Sequence, residues 1–155
     1  MDPIDHLTCE RQIECLGTDE PFPRLGWRAG CVQRAYQVEV LRRGHAVWDS
    51  GWVESNEPFA IYGGMPLEAC TRYVFRVRLR DADGAVTPFA ESWFETGLYE
   101  PVWPAEWLRA PDPAGGPAHI FLRVLDLTDS PRSARAYVAG LGYHELRVNC
   151  RPVGD

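Results

Sequence analysis

The sequence predicts an all-β chain organised as an antiparallel β-sandwich, and three observations carry that expectation. Apolar and polar residues alternate in short runs, Gly, Pro, Asp and Asn separate the runs, and no long helix-period stretch occurs before residue 100. Its 14 glycines and 13 prolines match frequent turns, and 45% hydrophobic with 12% aromatic residues supply a core.

Taken in order, Ala35–Leu41 places Tyr36, Val38 and Val40 on one face and ends at the Arg42-Arg43-Gly44 turn. Val47–Val53 continues as a strand in which Gly51 marks a bulge or bend, with Trp48 and Trp52 expected on the same face. Phe59–Tyr62 is a short strand closed by Gly63-Gly64. Thr71–Arg80 is the strongest strand, with Tyr73, Phe75, Val77 and Leu79 on one face and arginines mostly on the other. Asp81-Ala82-Asp83-Gly84 turns the chain, and Glu91–Thr96 returns with Trp93 and Phe94.

Residues 98–117 differ in composition. Pro101, Pro104, Pro111, Pro113 and Pro117 surround Gly115-Gly116, which excludes a central strand, and Trp103 and Trp107 are expected to pack this linker onto a neighbouring domain. Strands are expected again over His119–Leu127, Ala134–Ala139 and Tyr143–Val148. The chain thus divides into a β-sandwich at 1–97, a linker at 98–117 and the first strands of an incomplete β-domain at 118–155.

A formal charge of −6 argues against a nucleic-acid binder, whose affinity comes from basic residues on phosphates. Arg72, Arg76, Arg78 and Arg80 are locally dense, and their alternation reads as a solvated face paired with carboxylates. The start carries no secretory signal pattern, and no apolar run reaches the roughly 18 residues of a membrane helix. Five cysteines, Cys9, Cys15, Cys31, Cys70 and Cys150, show no CxxC spacing and read as scattered thiols of a cytoplasmic protein.

Two patterns carry a resemblance. Pro66-Leu67 followed by Thr71-x-Tyr73-x-Phe75-x-Val77 resembles the fibronectin type III pattern, in which a leucine precedes a corner and a tyrosine hydroxyl bonds back to the backbone. Trp27 stands in the place of that family's buried core tryptophan, and Tyr36 in that of the aromatic on the following strand. A longer string runs through Leu16-Gly17-Thr18-Asp19, Pro23-Arg24-Leu25-Gly26-Trp27, Val47-Trp48-Asp49-Ser50-Gly51-Trp52-Val53 and Phe94-Glu95-Thr96-Gly97-Leu98. It continues through Trp103-Pro104-Ala105-Glu106-Trp107-Leu108 and Ala134–Asp155. From about Cys9 to Asp155 the chain resembles the N-terminal region of bacterial α-L-rhamnosidases, glycoside hydrolase family seventy-eight. The resemblance implies a fibronectin type III-like sandwich followed by a partial jelly-roll segment. Two departures stand out: His144 replaces a family tyrosine, and Cys150 replaces the glycine of an Asn-Gly turn that requires positive φ.

In this family the two carboxylates of an inverting glycosidase lie far downstream, and no position here matches that motif, so no catalytic residue carries over. Local candidates are equally bland. Asp81, Asp83 and Glu91 lack the ligand order and helices of a calcium loop. His6 with Cys9, Cys15 and Cys31 matches no zinc spacing, and no cofactor is implied. Cys70 or Cys150 would need a neighbouring histidine to act as nucleophile, and His6, His45, His119 and His144 are scattered. Trp48, Trp52, Trp93, Trp103 and Trp107 are candidate sugar-stacking groups, though sheet packing accounts for them equally.

The sequence therefore describes a non-catalytic accessory region of a rhamnosidase-like protein whose chain stops after opening a second β-domain. Alternatives are a truncated part of an enzyme that hydrolyses terminal α-L-rhamnose, or a free-standing carbohydrate-binding module. A jelly roll needs about eight strands, so Leu122, Val124, Tyr137, Val138, Leu146 and Val148 should find cover on the fibronectin-like domain or in a second copy of the chain.

Overall fold

The computed structural model describes residues 3–99, 105–110 and 119–153. None of these is helical, and among the described residues no helix is long and apolar enough to cross a membrane. The chain divides into two units, Met1–Glu106 and Trp107–Asp155.

In the first unit, β1 (Ile4–Cys9), β3 (Arg24–Ala29) and β7 (Phe59–Ile61) form an antiparallel sheet in the order β1-β3-β7. The larger sheet runs β2 (Leu16–Thr18), β9 (Ala90–Thr96), β8 (Arg72–Asp81), β4 (Gln33–Arg42), β5 (His45–Asp49), with β6 (Val53–Glu54) also pairing β4. All of its pairings are antiparallel except β2 with β9. One core holds both sheets together. Leu25 and Trp27 of β3, Ile4, Leu7 and Cys9 of β1 and Ala60 of β7 meet Val38, Val40, Phe75, Val77, Leu79 and Phe94 of the larger sheet.

The long strand forms as its alternation requires. Phe75, Val77 and Leu79 are fully buried, while the arginines between them face outward. Tyr73 places its ring in the core, stacked on Phe94 at 5.5 Å, and its hydroxyl accepts a hydrogen bond from the Glu68 amide at 2.9 Å. That is the corner expected from Leu67 and Tyr73. Trp27 is buried and edge-packed on Tyr36 at 5.1 Å, as its position in the pattern predicts.

A buried polar residue completes this core. The Trp27 indole donates to Gln33 Oε1 at 2.9 Å, and Gln33 Nε2 donates to the Ser55 and Glu57 carbonyls at 2.9 Å each. Every polar atom of the Gln33 amide group is therefore paired, which removes the cost of burying it.

The strand expected over Val47–Val53 is split into β5 and β6. Gly51 adopts φ 60, and the Ser50 hydroxyl takes over a ladder position by accepting from the Val38 amide at 2.9 Å. This bend overturns the expected placement of Trp48 and Trp52 on one face. Trp48 pairs in register with Val40 and packs edge-on to Tyr62 at 5.2 Å beside the core. Trp52 lies against arginines of the outer face.

Among the described residues of the second unit, only β10 (Leu146–Val148) and β11 (Arg151–Val153) pair, as an antiparallel hairpin. The expected strands over 119–127 and 134–139 are not formed, and of 143–148 only the last three residues are strand. A strand is held by a neighbour's ladder, and these segments pair with none among the described residues. Trp107 is 69% exposed. Trp103 and Pro101, Pro104, Pro111, Pro113 and Pro117 lie outside the described residues.

The hairpin turn explains the odd cysteine. Asn149 and Cys150 both have positive φ, 49 and 65, as a two-residue turn that follows strand twist demands. Cysteine carries a Cβ penalty of about 1–2 kcal/mol there. Cys150→Gly should slow amide exchange across 146–153 by about fivefold, corresponding to about 1 kcal/mol, as read by hydrogen exchange. Tyr73→Phe should strand the Glu68 amide and cost about 1–2 kcal/mol, seen as a thermal midpoint lowered by roughly 5–10 °C.

Candidate functional site

An organised polar and aromatic surface covers the outer face of β4, β8 and β9. The pleat that buries Phe75, Val77 and Leu79 projects Arg76, Arg78 and Arg80 to this side, with Arg72 at the start of the strand. Cross-strand register then sets their partners. Arg72 faces Glu95 and bonds its carboxylate at 2.6 Å, and Arg76 faces Glu39, also at 2.6 Å. Arg78 faces Gln37 and donates to its Oε1 through Nε and Nη2 at 2.9 and 2.6 Å. Gln37 in turn donates to the Asp49 carboxylate at 2.8 and 3.0 Å, and Arg80 pairs with Glu54.

Aromatic rings interleave with these pairs. The Arg72 guanidinium lies 3.9 Å from the Trp93 ring centre. Arg76 and Arg78 lie over Phe89 at 4.5 and 4.7 Å, and Arg78 and Arg80 both lie 5.1 Å from Trp52. The face is a ladder of guanidinium and aromatic planes in which Arg72, Arg76 and Arg80 are paired with carboxylates and Arg78 with an amide. The expected solvated arginine face is present, and the aromatic stacking is the part that alternation does not reveal. Phe89 lies in a loop and Trp52 beyond a bend, so neither sits at a strand period from the arginines.

The other sequence candidates are dispersed. Asp81 Oδ1 accepts from the Asp83 and Ala85 amides at 2.9 Å each, so its carboxylate caps the turn closed by Gly84 at φ 84. Cys9 and Cys15 are buried in the core, and Cys31 packs against it. Among the described residues no three His, Cys, Asp or Glu side chains converge on a point where they could hold a metal. Cys150 occupies the hairpin turn, and the His144 ring lies 3.3 Å from the Gly142 carbonyl of its own loop. His6 lines a shallow groove of about 380 Å³ with Asp5, Ile13, Glu14, Arg28 and Glu91. There Arg28 bonds the Asp5 carboxylate at 2.6 Å and holds it below the usual carboxylate range.

The model of the Rha78A-like N-terminal immunoglobulin domain matches residues 4–100. The chain belongs to this family. Its sandwich architecture is shared by immunoglobulin and fibronectin type III domains, which accounts for the tyrosine corner. An α-L-rhamnosidase of Streptomyces avermitilis is 42% identical over 111 residues, spanning 63% of this chain and 11% of the relative. One of Formosa agariphila is 31% identical over 190 aligned positions, spanning 98% of this chain and 20% of the relative. Among solved structures, the Streptomyces avermitilis α-L-rhamnosidase complexed with L-rhamnose superimposes with a TM-score of 0.63. It is 38% identical and is matched over 70% of this chain and 12% of its own. The α-L-rhamnosidase of Dictyoglumus thermophilum gives a TM-score of 0.59 at 34% identity, over 64% of this chain and 13% of its own. The chain spans between 11% and 20% of the length of these curated relatives.

The ladder is testable in isolation from any partner. Arg78→Met keeps the aliphatic stem but removes two ring contacts and the Gln37 bonds. It should cost about 1–2 kcal/mol and shift Trp52 emission to longer wavelength, as fluorescence-monitored urea unfolding would show.

Proposed function

We propose that this chain is the non-catalytic, domain-packing region of an α-L-rhamnosidase-type glycoside hydrolase, whose work is to orient the catalytic part of a longer protein. The observation that carries this reading is the small share of each relative that the chain spans, 11% and 20%. The local chemistry agrees with it. Glu39, Glu54, Glu95 and Asp81 are each committed to an arginine or a turn, an arrangement suited to stability more than to proton transfer. Residues 1–97 form the sandwich, 98–117 the connecting segment and 118–155 the opening of a jelly-roll domain in this reading.

The second unit supports a need for cover. Leu122 is 87% and Val124 74% exposed, and Val138 and Val148 are also open to solvent. Apolar groups of this number favour burial against another surface, at about 25 cal/mol per Å² covered. The downstream catalytic part is the favoured occupant, and a second copy of this chain is the other. A cytoplasmic location is part of this reading, supported by an odd number of cysteines with no CxxC spacing. Sugar stacking is the weaker reading, because a guanidinium already lies over a face of Trp52 and Trp93.

The chain should not turn over an aryl α-L-rhamnoside, and titration with L-rhamnose should leave tryptophan fluorescence unchanged. Measurable hydrolysis would overturn the accessory reading, and a saturable fluorescence change would establish a carbohydrate site. Light scattering decides the occupant: a concentration-dependent dimer identifies the second copy, and a monomer excludes it.

A further inference from the structure

The crossing from β1 to β2 joins the two sheets, and it is bracketed by cysteines. Cys9 closes β1 in the smaller sheet. Cys15 lies just before β2, and its carbonyl accepts from the Glu95 amide of β9 in the larger sheet at 2.8 Å. Between them Glu10, Arg11 and Glu14 adopt positive φ of 49, 66 and 51. Cys9 and Gln12 exchange two backbone hydrogen bonds of 2.9 Å each. Left-handed residues wind a short loop back on itself, and here the winding returns the chain with both cysteines turned inward. Cys9 is 1% and Cys15 4% exposed, and both belong to one core cluster. Each thiol is close enough to the other to perturb its titration.

We propose that Cys9 and Cys15 form an oxidisable pair that closes to an inter-sheet disulfide when the protein meets a low-molecular-weight disulfide such as oxidised glutathione. The exposed loop residues Arg11, Gln12, Ile13 and Glu14 give the route, since the loop can open locally without the strands separating. Cys15, as thiolate, attacks one sulfur of the small disulfide and expels one small thiolate. Cys9, as thiolate, then attacks the Cys15 sulfur and expels the second. Two protein thiols lose two electrons and two protons, and the small disulfide gains them as two thiols.

Burial pushes both thiols above their ordinary range, and Glu10 adds to the rise in each. Exchange therefore waits on loop opening and is slow at neutral pH. The consequence reaches the outgoing chain. β2 and the residue after it hold that chain, through the Gly97 amide on the Thr18 carbonyl at 2.7 Å and the Tyr99 amide on Asp19 Oδ1 at 2.9 Å. A Cys9–Cys15 bridge anchors β2 to the smaller sheet and so stiffens the point where residues 97–99 leave the sandwich.

The test incubates the folded full chain with oxidised glutathione at mildly alkaline pH, followed by non-reducing peptide mapping and a thermal melt. The expected result is a Cys9–Cys15 linked peptide, a raised unfolding midpoint, slower amide exchange at Gly97 and Tyr99, and reversal by dithiothreitol. Cys31→Ala should leave all of this unchanged. Recovery of Cys9 and Cys15 as thiols or as separate glutathione adducts would overturn the proposal. So would a bridge to Cys31, or a Cys9–Cys15 bridge that forms only in denaturant or lowers the midpoint.

Discussion

The pleat of β8 is the constraint on which the rest of the sandwich depends. It is hydrogen-bonded to β4 on one side and β9 on the other, and successive side chains must point to opposite faces. Phe75, Val77 and Leu79 go inward and are fully buried. Each such burial stabilises the fold by about 1.5–3 kcal/mol. Arg76, Arg78 and Arg80 are then forced outward together, and the outer face must neutralise and cover them. Glu39 and Glu54 neutralise Arg76 and Arg80, Gln37 accepts the Arg78 hydrogen bonds, and Phe89 and Trp52 cover the guanidinium planes. A slip of one residue would bury the arginines and expose the core. The ladder of guanidinium and aromatic planes is thus the outward consequence of the hydrophobic core.

The polar contacts that close this core differ in how visible they are in the sequence. Tyr73 was legible because its corner depends on local spacing: a leucine, a turn, then tyrosine at the start of an alternating strand. Its hydroxyl reaches Glu68, five residues back. Gln33 was not legible. Its partners Trp27, Ser55 and Glu57 come from three separate segments, and nothing in the residues beside it distinguishes it from a surface glutamine. The same holds for the thiols Cys9 and Cys15, which look like scattered cysteines until a loop of positive-φ residues turns them inward. Trp52 was misplaced for a related reason. Alternation holds only while the strand is continuous, and Gly51 breaks it.

The two units rest on different physics. In the first, each strand finds a neighbour and a common apolar interior, so local preference and tertiary contact agree. In the second, the alternating residues of 119–127 and 134–139 have strand-like composition but pair with no strand among the described residues. Period-two patterning predicts which face would be buried. It does not supply the ladder or the opposing sheet that make burial occur. The hairpin at 146–153 forms because its pairing is local, even with Cys150 in a turn that favours glycine.

By itself, the sequence determined the all-β class, the positions of the long strands, the tyrosine corner and membership of a rhamnosidase-associated family. These follow from periodicity, turn residues and short motifs, all of which act over a few neighbouring positions. Only the tertiary structure decided that Trp48 and Trp52 face opposite ways, that Gln33 is a fully bonded core amide, that the arginines are stacked on rings, and that Cys9 and Cys15 are buried in one core cluster. Each of those depends on contacts between segments distant in the chain, where backbone bends and cross-strand register choose the partners.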